Sequence, residues 1–533
     1  MQLTEVRIAD DEIGSKPVEV GDRMIRPTTT KKDDEEETTT YCLDVNATIE
    51  AIGMGRFQRY LIVCVGAIWI ADAMEIILIS FLSPTLRCHW SLSSAEEASI
   101  TTVVFLGMLL GAPFWGYIDD VKGRRFGYIS SLCCTVIFGL VSAASANLAM
   151  LLITRLLVGF SVVGSHVAIT MFTEWLPATH RAFGVMMIGL LWSVGAVFEA
   201  LLAWIIMPNM DDPEYNWRVL LVASAVPLII LLGFAPFVPE SPRWLVTQNR
   251  EAEARNILEH AAKMNGIVAT SGVIKTVRRN AATGDDKEST QHTGYLDLVR
   301  IPVIQRLSIV WFLVCAVYYG TILLTTGLST LENAGNRCPD SSSSGSSNET
   351  VSSATDDSSC DNQLTSEDYV DALYDSVAEI PGLLLCLWAI GAFGRRKTIS
   401  GGMIACSFAY VLLAPCVSHL FEQGTLWIAR LFIAGVFQVL FIYSTEIFST
   451  QIRARGLGLC VAFARVGGMA TPLFSTVVLE ANDTAALLCY ATFSIVAAAL
   501  MFSIEYETRG RPIGAAYRQI VAERKSAAYH TVE

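Results

Sequence analysis

The sequence predicts an all-α membrane protein in which twelve transmembrane helices form two six-helix bundles. Three observations carry this. The 533 residues are 52% hydrophobic and only 17% charged, with a mean hydropathy of +0.45, too apolar for a soluble globular chain of this size. Apolar runs long enough to span a bilayer recur twelve times. A glycine-broken basic string, Gly116 to Arg125, returns after a later run as Gly391 to Lys397, which marks two related halves in tandem.

In chain order, residues 1–55 are polar and acidic, with threonine runs at 28–30 and 38–40; they carry too little apolar surface to fold alone and are expected as a disordered cytosolic tail. No short apolar core follows a basic start, so no cleaved signal peptide is expected and the first membrane helix should direct insertion. Runs near 60–83, 99–119, 126–146, 148–173, 183–207 and 218–238 build an N-terminal bundle over 56–245. The segment 246–304 is polar and mixed in charge, a central cytosolic linker with a short surface helix suggested at 251–259. Runs near 306–328, 371–393, 398–417, 424–446, 455–478 and 484–504 build a C-terminal bundle over 305–505, and 506–533 follows as a cytosolic tail.

The connections after even-numbered helices carry the basic residues, among them Lys122, Arg124, Arg125, Arg181, Arg395, Arg396, Arg453 and Arg509, so both termini are expected in the cytosol. The loop 329–369 then lies outside. It holds a serine run at 341–347, the acceptor Asn348-Glu349-Thr350 and the cysteines Cys338 and Cys360, which predicts glycosylation at Asn348 and allows a disulfide across the loop.

Most of the other cysteines lie inside apolar runs, where a thiol behaves as a small hydrophobe, and none shows metal-ligand spacing. Spread evenly, the net charge of -13 would argue against nucleic-acid binding, but much of the acid sits in the tail Asp33 to Glu37 and in non-cytoplasmic loops; no nucleic-acid partner is expected. No phosphate-cradling loop or nucleophile arrangement occurs outside the membrane runs, so neither an enzyme, a bound cofactor nor an ATP-driven pump is expected.

The duplication can be checked by register. Glu174, Arg181 and Gly184 recur as Glu446, Arg453 and Gly456, each displaced by 272, and Arg124 recurs as Arg395, displaced by 271.

A charge at a helix centre costs on the order of 2.5–3.5 kcal/mol, so each should face protein or water rather than lipid. Asp72 and Glu75 are three apart and share a face of the first helix, where two like charges disfavour each other's ionisation; one of them is a candidate proton carrier. Equally, the pair could be neutralised by structural ion pairs with Arg155 on the fourth helix or Arg465 on the eleventh. Arg155 and His166, eleven residues apart, line one face of the fourth helix, His166 as a proton relay or as a hydrogen-bonded interior histidine. Glu199 in the fifth helix and Glu379, ahead of a Pro-Gly break in the eighth, rank after Asp72 and Glu75. Tyr318 and Tyr319 offer aromatic faces to an organic cation or planar acid, but neighbours on a helix point about 100° apart, so one of the two is expected to line a cavity.

The string Gly116, Asp120, Gly123, Arg124, Arg125 resembles the loop between helices 2 and 3 of the major facilitator superfamily, where acid, base and helix end lock the inward gate. Pro239-Glu240-Ser241-Pro242-Arg243-Trp244-Leu245 and Tyr506-Glu507-Thr508-Arg509-Gly510-Arg511-Pro512 resemble its sugar-porter and organic-ion branches. More closely, Asp72 to Glu75, Trp192 to Glu199, Tyr318-Tyr319-Gly320, Ala378 to Gly382 and Arg465 to Gly468 are similar to the synaptic-vesicle-2-related, or SVOP-like, group. The resemblance runs from Glu50 to Pro512 and implies twelve helices around a central cavity with rocker-switch alternating access. Three positions depart from the pattern: Val121 replaces the base after Asp120, Gly391 stands where the second half would carry an acid, and Gly327 stands where a glutamate often closes helix 7.

The candidate proton and substrate cavity is thus Asp72, Glu75, Arg155, His166, Glu199, Tyr318, Tyr319, Glu379 and Arg465. The candidate cytosolic gate is Gly116, Asp120, Gly123, Arg124, Arg125, Glu174, Arg181, Arg395, Arg396, Glu446 and Arg453. With Gly391 in place of an acid, Asp120 should carry the gate, paired with Arg124 and Arg125 while the cavity opens outward and released when it opens inward. The expected protein is a monomeric secondary active transporter of the plasma or vesicle membrane. Its expected partners are a small organic ion or metabolite, a coupling proton and the lipid bilayer. A uniporter of sugar-like or neutral metabolites and a non-transporting vesicle or surface protein are the alternatives.

Overall fold

A computed structural model describes residues 40–210, 213–267, 276–279, 301–333, 364–415, 417–448 and 453–509. The strand β1 (Thr40–Leu43) leads into α1 (Val45–Ile52), which Asp44 caps by accepting from the Ala47 amide at 3.0 Å. Val45, Ile49 and Ile52 fall on one face and are buried, so the stretch expected to lack structure through residue 55 stops short of this helix.

The first half contains α2 (Arg56–Trp90), α3 (Ser94–Lys122), α4 (Arg124–Ala143), α5 (Leu148–Val162), α6 (His166–Glu174), α7 (Arg181–Ile206) and α8 (Pro213–Phe234). A 3-10 turn at Val163–Ser165 joins α5 to α6, and the three together make the fourth span. The linker region holds α9 (Pro242–Thr247), α10 (Glu251–Met264) and β2 (Thr276–Arg279), the last pairing antiparallel with β1. The suggested surface helix is thus present and longer than expected. Asn265, just past α10, accepts from the Phe57 amide at 2.9 Å and donates to Gln58 at 2.9 Å, which ties the linker to the start of α2.

The second half contains α11 (Pro302–Asn333), α12 (Ser366–Val377), α13 (Glu379–Ala392), α14 (Arg395–Leu413), α15 (His419–Ile447), α16 (Arg453–Pro472) and α17 (Asp483–Ser503). The eighth span bends at Ala378, and the eleventh continues past Pro472 through a π-turn, Leu473–Val478. Ten spans are long and apolar enough to cross a membrane; the broken fourth span and α14 complete the expected twelve among the described residues. Several helices outrun their apolar runs. At 1.5 Å per residue, the 35 residues of α2 reach about 52 Å, well beyond a hydrocarbon core of roughly 30 Å.

Glycines let the second and fourth spans of each half touch. Gly107 and Gly111 of α3 face the α5 backbone at Leu156 and Phe160, and Gly382 of α13 faces the backbone of Leu431 on α15. Any Cβ at these positions would collide with main chain, so the small-residue spacing Gly107-x-x-x-Gly111 serves helix–helix packing. Gly107 to Gly382 and Arg155 to Arg430 share a displacement of 275, so the duplication extends through the membrane interior.

Candidate functional site

The basic face is built twice from the same parts. Gly123 and Gly394, at φ +102° and +89°, turn the chain from the second to the third span of each half, a conformation glycine adopts without strain. Past each turn a glutamate accepts from the first free amides of the next helix: Glu240 from Arg124 and Arg125 at 3.0 and 3.3 Å, and Glu507 from Arg395 and Arg396 at 3.0 and 3.1 Å. These acids belong to the Pro239–Leu245 and Tyr506–Pro512 strings, which sequence reasoning used as a family mark without seeing that they cap helices.

The two copies differ where the sequence departs from its pattern. Asp120 pairs with Arg124 at 2.8 Å, leaving Glu174 to Ser241. In the second half no acid stands at Gly391, and Arg395 reaches Glu446 at 2.9 Å, with Thr508 donating to the same carboxylate at 2.6 Å. Asp120 is 70% exposed, whereas its neighbour Asp119 is fully buried against Gly127. Arg181 is interaction-bearing, and the Arg453 side chain lies outside the described ones.

At mid-depth the intramembrane charges form three groups. Arg155 donates to Glu75 at 2.9 Å and also to Ser142, beside a narrow cavity that reaches Thr135, Gly139 and Ser224. Glu199 accepts from Ser224 at 2.6 Å in the same half. Asp72 lies within electrostatic reach of Arg465 of the other half as well as of Glu75, and Arg465 donates to Tyr319 at 3.2 Å. The third group centres on Glu379, which accepts from Arg430 at 2.9 Å, from Tyr318 at 3.1 Å and from Ser193 of the first half at 3.0 Å. Trp192, also of the first half, donates to the Tyr318 hydroxyl at 2.6 Å.

The expected cavity residues whose side chains are described are therefore buried, but their hydrogen bonds and ion pairs fall into separate groups. Asp72 and Glu75, placed on one face of α2, serve opposite halves. Both tyrosines are buried, with different partners; Tyr318 stacks on Phe437 at 5.0 Å and Tyr319 packs on Phe105 at 4.7 Å. The His166 side chain, Asn348, Cys338 and Cys360 lie outside the described residues. Sequence reasoning missed Arg430 and Ser193 as partners of Glu379, and Trp192 as the donor to Tyr318 beside it. Arg430 had a signal, since it is the fourth-span arginine of the second half, as Arg155 is of the first.

On the face opposite the basic loops the halves are fastened together. Arg87 at the end of α2 reaches Glu97 at 3.2 Å and also pairs with Glu480 of the eleventh span, to which Ser94 donates. Phe81 packs on Tyr369 at 5.4 Å beneath that seam. The basic-face contacts named above each stay within one half, the pair of Asp120 and Arg124 among them. The pair spans a single helical turn at i, i+4 and does not depend on the other half.

Residues 70–330 and 377–518 match the sugar (and other) transporter family. The chain is 36% identical over 468 residues to the synaptic vesicle 2-related protein of Bos taurus, covering 88% of this chain and 81% of that one. It is 32% identical over 504 residues to organic cation/carnitine transporter 7 of Arabidopsis thaliana, covering 88% and 95%. Among solved structures, the xylose transporter XylE from E. coli in a partially occluded inward open conformation superposes with a TM-score of 0.63 at 16% identity, over 85% of this chain and 99% of that one.

Proposed function

The chain belongs to the sugar (and other) transporter family of the major facilitator superfamily, alongside the synaptic vesicle 2-related proteins, and from that membership we propose a proton-coupled carrier of a small organic ion, with organic cations the favoured class. It is a multi-pass membrane transporter and not an enzyme. The observation that carries the coupling is Glu379, a buried acid held jointly by Arg430 and Tyr318 of its own half and Ser193 of the other. Adding a proton to this carboxyl removes the charge that Arg430 faces and weakens its acceptance of the Ser193 hydroxyl, so one titration loosens a bond across the two halves.

Cation selectivity rests on charge balance. Asp72, Glu75, Glu199, Asp375 and Glu379 are five buried acids near three buried arginines, Arg155, Arg430 and Arg465. Such an excess favours protons or a cationic solute among the rings of Trp192, Tyr318, Tyr319 and Phe437. The name of the Arabidopsis relative points the same way. The basic face is assigned to the cytosol, with both termini there, in a plasma or vesicle membrane.

A second reading, a uniporter of a neutral sugar-like solute, is favoured by the hydroxyl-rich seam of Ser80, Ser83, Thr101, Thr326 and Ser475. Uptake of radiolabelled organic cations, L-carnitine among them, and of xylose into proteoliposomes with and without an imposed proton gradient separates the two. Gradient-dependent accumulation of a cation supports the coupled carrier; gradient-indifferent equilibration of the sugar supports the uniporter.

A further inference from the structure

Glu379 stands at the foot of a series of titratable side chains that the proposed coupling does not use. Asp371, Asp375 and Glu379 are spaced four apart along the eighth span, so they stack on one side of it, one turn below another. His419, Glu422 and Arg430 descend the facing span, α15, from the same end. At the top, Asp371 and His419 are 3.3 Å apart and partly exposed, the histidine at 47%. One turn down, Asp375 is buried, and Thr325 of α11 donates to one of its oxygens at 2.9 Å. Its other oxygen, and Nη2 of Arg430 below it, are buried with no hydrogen-bond partner among the described residues. Arg430 binds Glu379 through Nε at 2.9 Å and lies within electrostatic reach of Asp375.

We propose that this ladder is the proton entry path from the face opposite the basic loops to Glu379, with Asp375 as its relay. A solvent proton is taken up at His419 or Asp371 and passes to the Asp375 carboxylate. It then moves to Glu379, which becomes neutral as Asp375 regains its charge, and the unpartnered Nη2 of Arg430 turns toward the Asp375 carboxylate. Proton number and charge are conserved at each transfer, and no oxidant or co-reactant is needed. The buried, half-satisfied atoms of Asp375 and Arg430 are the pair this exchange requires.

The groups facing the path belong to every packed element. Glu422 and Arg430 come from α15, Thr325 and Glu332 from α11, Glu367 and Asp368 from the first turn of α12, and Tyr318 and Ser193 surround Glu379. The acids at the upper end attract protons, and Arg430 at the lower end bars other cations from following.

The inference rests on the proton-coupled reading, so its test reads the conformational response to protons without any solute. Ala95→Cys, beside the seam of Ser94 and Glu480, carries a bimane reporter in protein reconstituted into phosphatidylcholine liposomes, and external pH is dropped by stopped flow. The parent should respond, and Asp375→Asn should slow the response on the order of 10²-fold with its end-point kept. Asp375→Glu should restore the rate, and Asp371→Asn combined with His419→Gln, at the exposed mouth, should slow it as well. A parent that responds while Asp375→Asn and the mouth variant match its rate overturns the path and leaves coupling intact. A parent that shows no response to pH overturns the coupling reading and the path with it.

Discussion

Ser193 and Glu379 meet at 3.0 Å across the boundary between the two six-helix halves, and neither is exposed to solvent. A buried carboxylate at such a seam is paired with Arg430 of its own half at 2.9 Å, so one side chain links the ion pair of the second half to a hydroxyl of the first.

Removing one member of the Glu379 and Arg430 pair leaves a buried charge uncompensated. Arg430→Met should therefore destabilise by about 3–5 kcal/mol, and the double variant Glu379→Gln with Arg430→Met should recover most of the loss. Thermal unfolding in detergent checks this. A double variant no more stable than Arg430→Met alone would show that the pair does not act as a unit.

Asp72→Asn and Glu75→Gln should differ, because Glu75 holds Arg155 within the first half whereas Asp72 is coupled to Arg465 of the second. Glu75→Gln should lower thermal stability, since Arg155 is wholly buried beside it. Asp72→Asn should instead alter accumulation and spare stability. Transport and melting measured on both variants decide it, and identical profiles would contradict the division.

On the basic face, Asp120→Asn removes an exposed pair worth about 0–1 kcal/mol and should barely shift accessibility. Glu240→Gln weakens the acceptor of two helix-terminal amides and should cost about 0.5–2 kcal/mol. Cysteine labelling and melting curves compare the two; a larger effect at Asp120 would restore it as the principal gate residue.

Close approach of the second and fourth spans predicts that Gly382→Val sharply lowers the yield of folded protein, because a side chain there would strike the Leu431 backbone. Gly391→Val, at a position with open space around it, should be tolerated. Size-exclusion profiles of the two variants give the comparison.

The twelve spans were legible because hydropathy and the basic loops answer directly to the bilayer; the break expected at Pro381-Gly382 falls instead at Ala378, three residues before the proline, and the helix runs on through both residues. A motif names a residue type at a position and not where its side chain lies, so the sequence did not reveal that Asp120 is exposed and the neighbouring Asp119 buried. Glu240 and Glu507 were seen only as parts of strings, because their cap partners lie more than a hundred residues away in sequence. Glu379 was ranked after Asp72 and Glu75 for a similar reason. What distinguishes it is contact with Ser193 from the other half, which no local spacing encodes.

The measurement that bears most directly on the coupling is accumulation of a radiolabelled organic cation in proteoliposomes under an imposed proton gradient, parent against Glu379→Gln, with solute exchange at equal pH as the control. The account predicts that the parent concentrates the solute only while the gradient lasts, whereas Glu379→Gln exchanges it across the membrane without concentrating it. Gradient-driven accumulation by Glu379→Gln equal to that of the parent would contradict it.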